Sequence, residues 1–497
     1  MAIPVTDRTA APPPPVPLAA QGFTTLDDEI TLDALPVEGE LPAWLAGSLL
    51  RTGPAKWEYG DQSLRHWFDG AAMLHRFTFG DGRVSYANRF LQTRAHRAST
   101  EQGRIAYSEF ATDPCRSLFK RVSTLFAPEA ALSDNCNVNV TRLGDRYIAM
   151  TETPIPVEFD PSTLAAVGVA YRPPGVLTTA HPHMDRSDRG MLNYAAKLGP
   201  RSEYRFFHLA PDAREPEVIA SLPVREPSYM HSFGLTERFI VLAEFPLVVN
   251  PLRLALSGRP YIENYRWKPE RGTRFTLIDR ASGEAIGPLR CEARFGFHFV
   301  NAYEDGDRVI ADVCTFPDAQ IVEDLYLDRL RAGARVTPPA LERFVLEPSA
   351  GRVEVEHLVD EPLELPRINY GRCNERPYRY VWGAGAAGDR FLDRIVKVDV
   401  QQRSTTTWFE DGSFPGEPVF VAAPGADAED EGVLLSVVLD GRRGTSFLLV
   451  LDAATLTERA RAAVPHHIPF GFHGQFAPRR ARTGQREIAT DRTISAP

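Results

Sequence analysis

The feature of this chain that most restricts its fold is a long series of short strand-like runs between about residue 45 and residue 478. The runs are rich in Val, Ile, Leu, Phe and Thr and are bounded by Gly, Pro or Asp, which is typical of β-strands separated by turns. The clearest are RYIAMTET (146–153), RFIVLAEF (238–245), TRFTLIDR (273–280), DRVIADVC (307–314), DRIVKVDV (393–400) and GVLLSVVL (432–439). Long helical patterns are scarce, so the sequence predicts an all-β protein.

Two kinds of turn signal separate these runs. Asp-Gly pairs, which favour tight hairpins, occur at 69–70, 81–82, 305–306, 411–412 and 440–441. Other runs end in an aspartate that leads into a turn, as in FDPSTL (159–164), LIDRASG (277–283) and VLDAATL (450–456). A strand followed repeatedly by an Asp turn is typical of the outer hairpins of a β-propeller.

Composition and missing motifs argue against several classes of function. The chain has 497 residues and a formal net charge of −9, without a basic stripe that would neutralise phosphates, so we expect no nucleic-acid partner. Neither GxxxxGK[ST] nor a GxGxxG between a strand and a helix is present, and GAGAAG (383–388) matches neither spacing. A GxSxG elbow is also missing. Nucleotide hydrolysis, hydride transfer and serine hydrolysis therefore have no sequence support.

The ends of the chain and its cysteines bear on cellular location. Residues 1–22 lack the basic and apolar regions of a signal peptide and contain a proline run, so we expect an extended, disordered leader. The five cysteines include no CxxC pair, which fits a reducing compartment. No window approaches the roughly 20 apolar residues that span a bilayer. We predict a cytoplasmic protein with a single domain at 23–478 and a polar tail at 479–497.

One window departs from the strand pattern. In DPCRSLFKRVSTLFAPEAA (113–131), bulky apolar residues recur at helical spacing and the cations fall elsewhere. The apolar face consists of Leu118, Phe119, Val122, Leu125 and Phe126. Two interpretations stay open: a surface helix packed on the core, and a patch that lies in a membrane interface. A second apolar segment, FPLVVNPLRLALSG (245–258), would extend such a patch.

Four segments place histidines beside aromatic residues or glycine. They are AHPHMD (180–185), YMHSFGLT (229–236), GFHFVNAYE (296–304) and GFHGQF (471–476). Each histidine alone is typical of a packed side chain, and no single helix or hairpin holds two of these segments. They can meet only if several repeats point inward at a common axis, as in a propeller. AHPHMD offers both His181 and His183, and strand periodicity does not choose between them because i and i+2 face the same way.

Three glutamates lie beside proline in apolar stretches: Glu152 in MTETP, Glu364 in LELPRIN and Glu417 in GEPVF. A glutamate that is buried without a partner costs free energy. Metal-bound histidines commonly donate their second N–H to a carboxylate, which fixes the tautomer. The three acids therefore suit a layer of carboxylates behind metal-binding histidines. The alternative is that they are loop or edge glutamates that face water.

Eight segments, taken in order, resemble the carotenoid cleavage oxygenase family. They are LPAWLAGSLLRTGP, HWFDGAAMLHRFTF, AHPHMD, YMHSFGLT, FGFHFVNAYE, ELPRIN, GEPVFV and HIPFGFHG, from about residue 41 to residue 476. The resemblance implies a seven-bladed β-propeller with short helices and loops that form a dome over an iron site. It also implies that Fe(II) on the propeller axis is bound by four histidines.

The resemblance assigns roles residue by residue. Carried over by position, the iron ligands are His181, His231, His298 and His473, and the carboxylates behind them are Glu152, Glu364 and Glu417. The family motif places a ligand between Ala and Pro, which selects His181 and leaves His183 as its neighbour. In VPHHIPFGFHGQF (464–476), we expect His466 and His467 to shape the turn or the cavity wall, with no role at the metal.

The resemblance also implies an activity: an Fe(II)- and O₂-dependent dioxygenase that cleaves a conjugated C=C bond of a carotenoid or apocarotenoid to aldehyde or ketone products, with central cleavage to retinal as one version. No organic cofactor is expected, and the partners are an apolar polyene and O₂. One alternative is a lignostilbene-type dioxygenase, which holds a phenol with a Lys and a Tyr. Others are a non-oxidative retinoid isomerohydrolase and a non-catalytic binding scaffold.

Two further segments place the chain closer to the animal-type branch of the family. EFATDPCRSLF (109–119) and LSDNCNVNV (132–140) are similar to the β-carotene oxygenases and the retinal pigment epithelium isomerohydrolase. In that branch the segment matching 113–131 belongs to a membrane-facing patch. The resemblance therefore favours peripheral membrane association of this protein.

Overall fold

The structure, a computed structural model, describes residues 17–113 and 132–479 of the chain. The predicted apolar face of Leu118, Phe119, Val122, Leu125 and Phe126 lies outside the described residues, as do residues 1–16 and 480–497. Leu18–Phe23 forms a 3-10 helix, and the ring of Phe23 contacts Trp67 and Phe470 at centroid distances of 5.9 and 5.0 Å. The predicted leader boundary at residue 22 thus falls inside a helix that packs on the core.

Seven antiparallel sheets of four to six strands confirm the predicted seven-bladed β-propeller. Blade 1 contains Thr31–Leu32, Gly47–Lys56, Ala71–Gly80, Arg83–Phe90 and Gly474–Pro478. Blade 2 contains Asn139–Leu143, Arg146–Met150, Val157–Phe159 and Ala166–Val169. Blade 3 contains Leu177–Thr178, His183–Met184, Met191–Lys197, Ser202–Leu209 and Glu217–Val224. Blade 4 contains Gly234–Leu235, Phe239–Glu244, Thr273–Asp279 and Ala285–Cys291.

The remaining blades complete the circle. Blade 5 contains Phe295–Asp305, Arg308–Phe316, Ala340–Glu347 and Arg352–Val359. Blade 6 contains Glu364–Arg367, Tyr380–Gly385, Arg394–Asp399 and Ser404–Phe409. Blade 7 contains Val37–Gly39, Ser413–Pro415, Val419–Ala422, Gly432–Asp440, Thr445–Asp452 and Glu458–Val464. Two short ribbons lie outside the blades: Glu58–Tyr59 with Gln62–Ser63, and Leu247–Val248 with Arg266–Trp267.

Helices in the described ranges are short. The α-helices are Arg94–Gln102, Pro251–Leu256, Gln320–Asp324, Leu327–Arg331 and Tyr370–Cys373. The 3-10 helices are Leu18–Phe23, Trp67–Asp69, Ile262–Asn264 and Pro269–Arg271. Within residues 17–113 and 132–479, none of the helices has the length and apolar character needed to cross a bilayer.

The two ends of the described chain close the propeller. Gly474–Pro478 pairs with Gly47–Lys56 in blade 1, and Val37–Gly39 pairs with Glu458–Val464 in blade 7. Each of these blades therefore combines strands from both ends of the chain. Pairing of this kind leaves no long exposed edge where the circle of blades begins and ends.

Burial falls from the middle of a blade to its rim, which explains the residue types found there. All six residues of Phe239–Glu244 are buried, whereas five of the six residues of the outer strand Ser404–Phe409 are exposed. Middle strands pack against neighbouring blades on both faces and are therefore nearly continuous in Val, Ile, Leu and Phe. Outer strands face solvent and contain Thr, Ser and charged residues.

The predicted aspartate turns stabilise the outer hairpins. Asp160, Asp279 and Asp452 each accept hydrogen bonds from the backbone N–H groups two and three residues further along the chain. This contact mimics a backbone turn and fixes the hairpin that follows the strand. The Asp81–Gly82 turn also forms, with positive φ of 50° and 70° at its two residues. The pair at 69–70 instead ends the helix Trp67–Asp69.

Candidate metal centre

Four imidazole rings meet between the inner edges of four blades. Neighbouring ring centroids lie 4.6–5.0 Å apart, and the ligand nitrogens all lie within 4.8 Å of one another. The rings belong to His181, His231, His298 and His473. These are the four histidines that the family resemblance assigned as ligands, and we call them the histidine group.

Each histidine lies in, or just before, a strand at the edge of its sheet. His181 precedes His183–Met184 in blade 3, and His231 precedes Gly234–Leu235 in blade 4. His473 immediately precedes Gly474–Pro478. His298 lies inside Phe295–Asp305, where the register shifts between Gly296 and Phe299. An irregularity of this kind interrupts the alternation of side chains between the two faces of a strand and changes the direction in which they point.

The three predicted carboxylates lie directly behind three of these rings. Glu152 is 2.7 Å from His231 Nδ1, Glu364 is 2.5 Å from His298 Nδ1, and Glu417 is 2.8 Å from His473 Nδ1. These acids come from blades 2, 6 and 7, so each of the seven blades contributes one residue to the site. Among the described residues, no carboxylate bonds to the His181 ring; its backbone N–H donates to Thr179 Oγ1 at 2.7 Å.

Glu417 has the most strongly charged surroundings of the three acids. Its carboxylate is fully buried, 3.4 Å from the Arg51 guanidinium and 3.6 Å from that of Arg367, and it accepts the Gly474 N–H at 2.9 Å. Burial alone would raise the pKa of Glu417, but the charges of Arg367, His473 and Arg51 outweigh it and lower the pKa to about 2. Glu417 therefore stays an acceptor for His473.

Glu364 and Glu152 are held differently. Glu364 Oε2 accepts the Leu365 N–H at 2.6 Å, and Leu365 has a positive φ of 51°, a conformation that a non-glycine residue adopts at a cost. Glu364 Oε1 is buried without a hydrogen-bond partner in the described part of the chain. Glu152 Oε1 accepts a second hydrogen bond, from the Tyr229 hydroxyl at 2.8 Å.

The donor set fits a transition-metal ion. Ionised carboxylates only accept hydrogen bonds, so the protons of His298 and His473 lie on Nδ1 and both Nε2 atoms present lone pairs. These Nε2 atoms are 3.1 Å apart, and those of His181 and His231 are 3.0 Å apart. Facing lone pairs repel unless a cation binds them. Two metal–imidazole bonds of about 2.1 Å at a right angle would separate the nitrogens by about 3.0 Å.

The protonation of the rings agrees with this fit. Burial lowers the pKa of His473 to about 4, against the opposing charge of Glu417. Burial also lowers the pKa of His231 and, further, that of His181, where the other rings of the group add to the effect. Neutral imidazole is the form that binds metals, so these residues are ready to do so near neutral pH.

A cavity of about 230 Å³ opens directly onto the histidine group. His231, His298 and His473 form part of its wall. Most of the remaining wall is apolar, and it includes Trp67, Phe68, Phe110, Phe297, Phe316, Phe391 and Phe472. Two of these residues come from the helix Trp67–Asp69, so short elements outside the blades cover the site. The cavity suits a long apolar molecule that passes beside the rings.

The other singled-out histidines lie outside the group. His183 bonds to the Phe233 carbonyl at 2.9 Å and to the Tyr370 hydroxyl at 3.2 Å, so its ring points away from the group. His466 Nδ1 lies 2.6 Å from the His467 carbonyl, and His467 Nε2 lies 3.2 Å from Thr24 Oγ1. These contacts fix loops around blade 1 and the helix Leu18–Phe23.

Comparisons with known proteins agree with this geometry. The profile of the retinal pigment epithelial membrane protein family matches residues 23–478. The chain belongs to this family. Family membership accounts for all the motifs from which the resemblance to carotenoid cleavage oxygenases was inferred. It also accounts for the seven blades.

Individual relatives cover nearly the whole chain. A mitochondrial carotenoid-cleaving dioxygenase of Macaca fascicularis is 35% identical over 93% of this chain and 95% of its own length. A β,β-carotene 15,15′-dioxygenase of Rattus norvegicus is 34% identical over 89% of this chain and 88% of its own. The crystal structure of cobalt-substituted Synechocystis apocarotenoid oxygenase superposes with a TM-score of 0.83 at 28% identity, covering 93% of this chain and 98% of the other.

Sequence reasoning missed the residues that hold the acids. Arg51 and Arg367 flank Glu417, and Tyr229 donates to Glu152. All three lie inside the segments quoted for the resemblance: LPAWLAGSLLRTGP, ELPRIN and YMHSFGLT. An arginine in an apolar run needs an anionic partner, and that signal was available. Which acid it pairs with depends on contacts between blades and is not readable from one strand.

Proposed function

We propose that this protein is an iron-dependent dioxygenase that cleaves a conjugated double bond of a carotenoid or apocarotenoid. The observation that carries the proposal is the histidine group itself, in which pairs of Nε2 atoms lie 3.0–3.1 Å apart beside an apolar cavity. The names of the relatives support the substrate class. In the reaction, the C=C bond breaks and the two atoms of O₂ end in two carbonyl products. The unit that performs it is residues 23–478, with 1–22 and 479–497 outside it.

The chain's own residues would bind and orient the metal. His181, His231, His298 and His473 are the proposed ligands, and imidazole suits Fe(II). When bound, Fe(II) supplies the activation of O₂. The carboxylates hold the Nδ1 protons of three ligands and keep their Nε2 atoms unprotonated and correctly aimed. Because the four ligands are neutral, they leave the charge of the ion uncompensated.

The aromatic wall would orient the polyene and exclude water. The ring of Phe297 lies 5.3 Å from that of His231 and 5.9 Å from that of Phe68, and Phe68 continues to Phe110 at 5.2 Å. These rings form a continuous apolar surface beside the histidine group. A conjugated chain that lies along it would present one double bond to the site, because its position is fixed by contacts on both sides.

The cavity wall argues against the stilbene alternative. That branch of the family holds a phenol with a lysine and a tyrosine. Among the described residues, the wall includes one tyrosine, Tyr261, and no lysine. Tyr261 already shares a hydrogen bond of 2.5 Å with the Tyr265 hydroxyl. An apolar polyene therefore fits the described wall better than a phenol.

A product analysis tests the proposed function. Iron-loaded protein is incubated with β-carotene, an apocarotenal, a hydroxystilbene and a retinyl ester while O₂ uptake is recorded. We expect O₂ uptake and aldehyde products with at least one of the polyenes and no turnover of the stilbene. Cleavage of the ester without O₂ uptake would instead show an isomerohydrolase. No turnover of any polyene would overturn the proposal.

We also propose that the protein is cytoplasmic and associates peripherally with membranes. The helix Pro251–Leu256 has two strongly exposed leucines, Leu252 at 63% and Leu256 at 77%, while Leu254 packs against the core. The chain then continues to Tyr261, which lines the cavity, and Ile262 N–H donates to the Phe110 carbonyl at 3.0 Å. Exposed leucines beside a cavity suit the uptake of a polyene dissolved in a bilayer.

Liposome flotation tests the membrane proposal. Leu252→Asp with Leu256→Asp, and separately Phe119→Asp with Phe126→Asp, should each reduce the bound fraction. Val167→Asp is the matched control, because Val167 is 65% exposed on the outer strand Ala166–Val169 of blade 2. Unchanged flotation of both double variants would contradict the proposal, as would an equal loss in the control.

A further inference from the structure

One of the four histidines is anchored by two arginines. The Arg51 guanidinium donates to the Phe472 carbonyl at 3.0 Å. The Arg367 guanidinium donates to the Gly474 carbonyl at 2.8 Å. Phe472 and Gly474 are the residues on either side of His473. Each arginine therefore fixes the backbone on one side of this proposed metal ligand.

The same two guanidiniums face the carboxylate behind the His473 ring. Glu417 lies 3.4 Å from Arg51 and 3.6 Å from Arg367. The Glu417 side chain is fully buried and that of Arg51 is 5% exposed, so solvent screens their charges weakly. Because arginine stays protonated in proteins, two positive charges and one negative charge lie together here. The cluster behind His473 therefore has a net positive charge.

The other two carboxylates have no cation beside them. Glu152 and Glu364 form no ion pair with an arginine or a lysine in the described part of the chain. They place a negative charge behind His231 and His298, respectively. The surroundings of the proposed metal are therefore unequal, with negative charge behind two rings and net positive charge behind a third.

The charge behind the ligands bears on the oxidation state of an ion that they bind. The four imidazoles are neutral, so they do not themselves compensate the charge of the ion. Fe(III) carries one positive charge more than Fe(II). A nearby carboxylate therefore stabilises Fe(III) more than Fe(II), and a nearby guanidinium destabilises Fe(III) more than Fe(II). This interaction is stronger in a buried site than in water.

We propose that Arg51 and Arg367 keep the bound iron in the Fe(II) form, because their charges offset part of the charge of the three carboxylates. The proposal rests on the proposed function, in which Fe(II) is the form that activates O₂. Neither arginine lines the large cavity in the described part of the chain. Both act through Glu417 and His473, so they are positioning residues for the metal and do not contact the polyene.

A redox titration of the iron-loaded protein without O₂ tests the proposal. Each Fe(II) gives one electron to the oxidant, hexacyanoferrate(III), and the Fe(III) formed is followed by electron paramagnetic resonance. Arg367 is the residue to change, because its side chain is 30% exposed and Glu417 stays paired with Arg51 in its absence. Arg367→Gln removes the charge and keeps a donor for the Gly474 carbonyl, whereas Arg367→Lys keeps the charge.

In Arg367→Gln, the affinity for Fe(III) relative to Fe(II) should rise about three- to tenfold. For one electron, this change corresponds to a midpoint potential that is lower by about 30–60 mV. Arg367→Lys should retain the wild-type potential. Glu152→Gln removes an acid that has no cation partner, so its potential should shift in the opposite direction.

Two controls separate the effect of charge from other effects. The visible absorption of cobalt-loaded samples should be the same in wild type, Arg367→Gln and Arg367→Lys, which shows that the ligands have not moved. Arg461→Gln is the matched variant, because Arg461 is 22% exposed and pairs with Glu410 from the outer strand Glu458–Val464 of blade 7. Its potential should equal that of wild type.

The outcomes separate this inference from the proposed function. If wild type binds no iron or cleaves no polyene, the proposed function fails. If wild type does both but Arg367→Gln has the wild-type potential, the inference is overturned. It is also overturned if Arg367→Lys or Arg461→Gln lowers the potential as far as Arg367→Gln, because the shift would then not arise from the charge at Glu417.

Discussion

At the scale of single residues, the three carboxylates lie in the same position behind a histidine ring but are held by different neighbouring groups. Glu417 is enclosed by two arginines, Glu152 is held by a tyrosine, and Glu364 is held by a neighbouring backbone N–H. The same substitution should therefore have different consequences at each. All three contact a histidine Nδ1. They differ in whether neutralising the acid leaves a buried arginine without its anionic partner.

Glu417→Gln should reduce both stability and metal binding. It removes the partner of the buried Arg51 guanidinium, and an unpaired buried charge costs about 3–5 kcal/mol. Glu364→Gln should weaken metal affinity by roughly 10- to 100-fold with a smaller loss of stability, because no arginine pairs with Glu364 in the described residues. Melting temperatures and metal titrations of both variants check this. Equal melting temperatures of Glu417→Gln and Glu364→Gln would contradict the expected difference in stability.

Tyr229→Phe should lower metal affinity up to about tenfold. Tyr229 is buried and donates to the same Glu152 oxygen that faces His231 Nδ1, so its loss leaves the acid less firmly placed. Tyr265→Phe is the matched control, because its hydroxyl bonds to Tyr261. A cobalt titration followed by visible absorption reports the change in the site directly. An equal effect of the two variants would show that Tyr229 has no positioning role.

At the scale of elements, the strand Gly474–Pro478 has two functions. It closes blade 1 by pairing with Gly47–Lys56, and it places His473 at the inner edge. The backbone approach is close: a Cβ at Gly474 would lie 2.7 Å from the Leu50 carbonyl oxygen and 2.5 Å from Arg51 Cγ. Any side chain there would push this strand outward, and His473 would move with it.

Gly474→Ala should therefore lower both the melting temperature and the metal affinity. Overpacking costs about 1–3 kcal/mol, and here the nearest atom on one side is backbone, which does not rotate away. Gly199→Ala is the control, since no atom lies within 4 Å of a Cβ built at Gly199. Calorimetry and metal titration measure the two effects. Equal melting temperatures and equal metal affinities of Gly474→Ala and Gly199→Ala would show that the backbone at Gly474 does not lie as close to Leu50 and Arg51 as described.

At the scale of the whole molecule, the strands and the ligands were predictable for different reasons. The residues of GVLLSVVL and TRFTLIDR are by themselves typical of β-strands, and the structure places strands there, at Gly432–Asp440 and Thr273–Asp279. The meeting of His181 with His473 depends on closure of the circle, so it came from the family resemblance. The arginines around Glu417 were missed because the contact joins blades 1, 6 and 7, which no local pattern reports.

The propeller should lose stability in acid because it buries neutral histidines. Burial lowers the pKa of His66 and of His75 to about 3 and that of His96 to about 4. Below pH 6.5 these histidines bind protons in the unfolded chain but stay neutral in the folded chain. The free energy of unfolding therefore falls as the pH drops from 6.5 toward 4. His75→Gln should reduce this slope by up to about 1.4 kcal/mol per pH unit. Melting temperatures of wild type and His75→Gln from pH 7 to 4.5 check this prediction. The same dependence of stability on pH in both proteins would contradict it.

In the proposed reaction, the histidine group binds iron and the loaded protein uses O₂ to cleave a polyene. The most direct measurement is the ratio of O₂ consumed to polyene cleaved, in wild type and in His298→Ala, at equal protein concentration and with iron content determined on the same samples. Wild type should bind about one iron per chain and consume one O₂ for each double bond broken, and His298→Ala should lose iron and uptake together. Polyene cleavage without O₂ uptake, or full iron and activity in His298→Ala, would contradict the account.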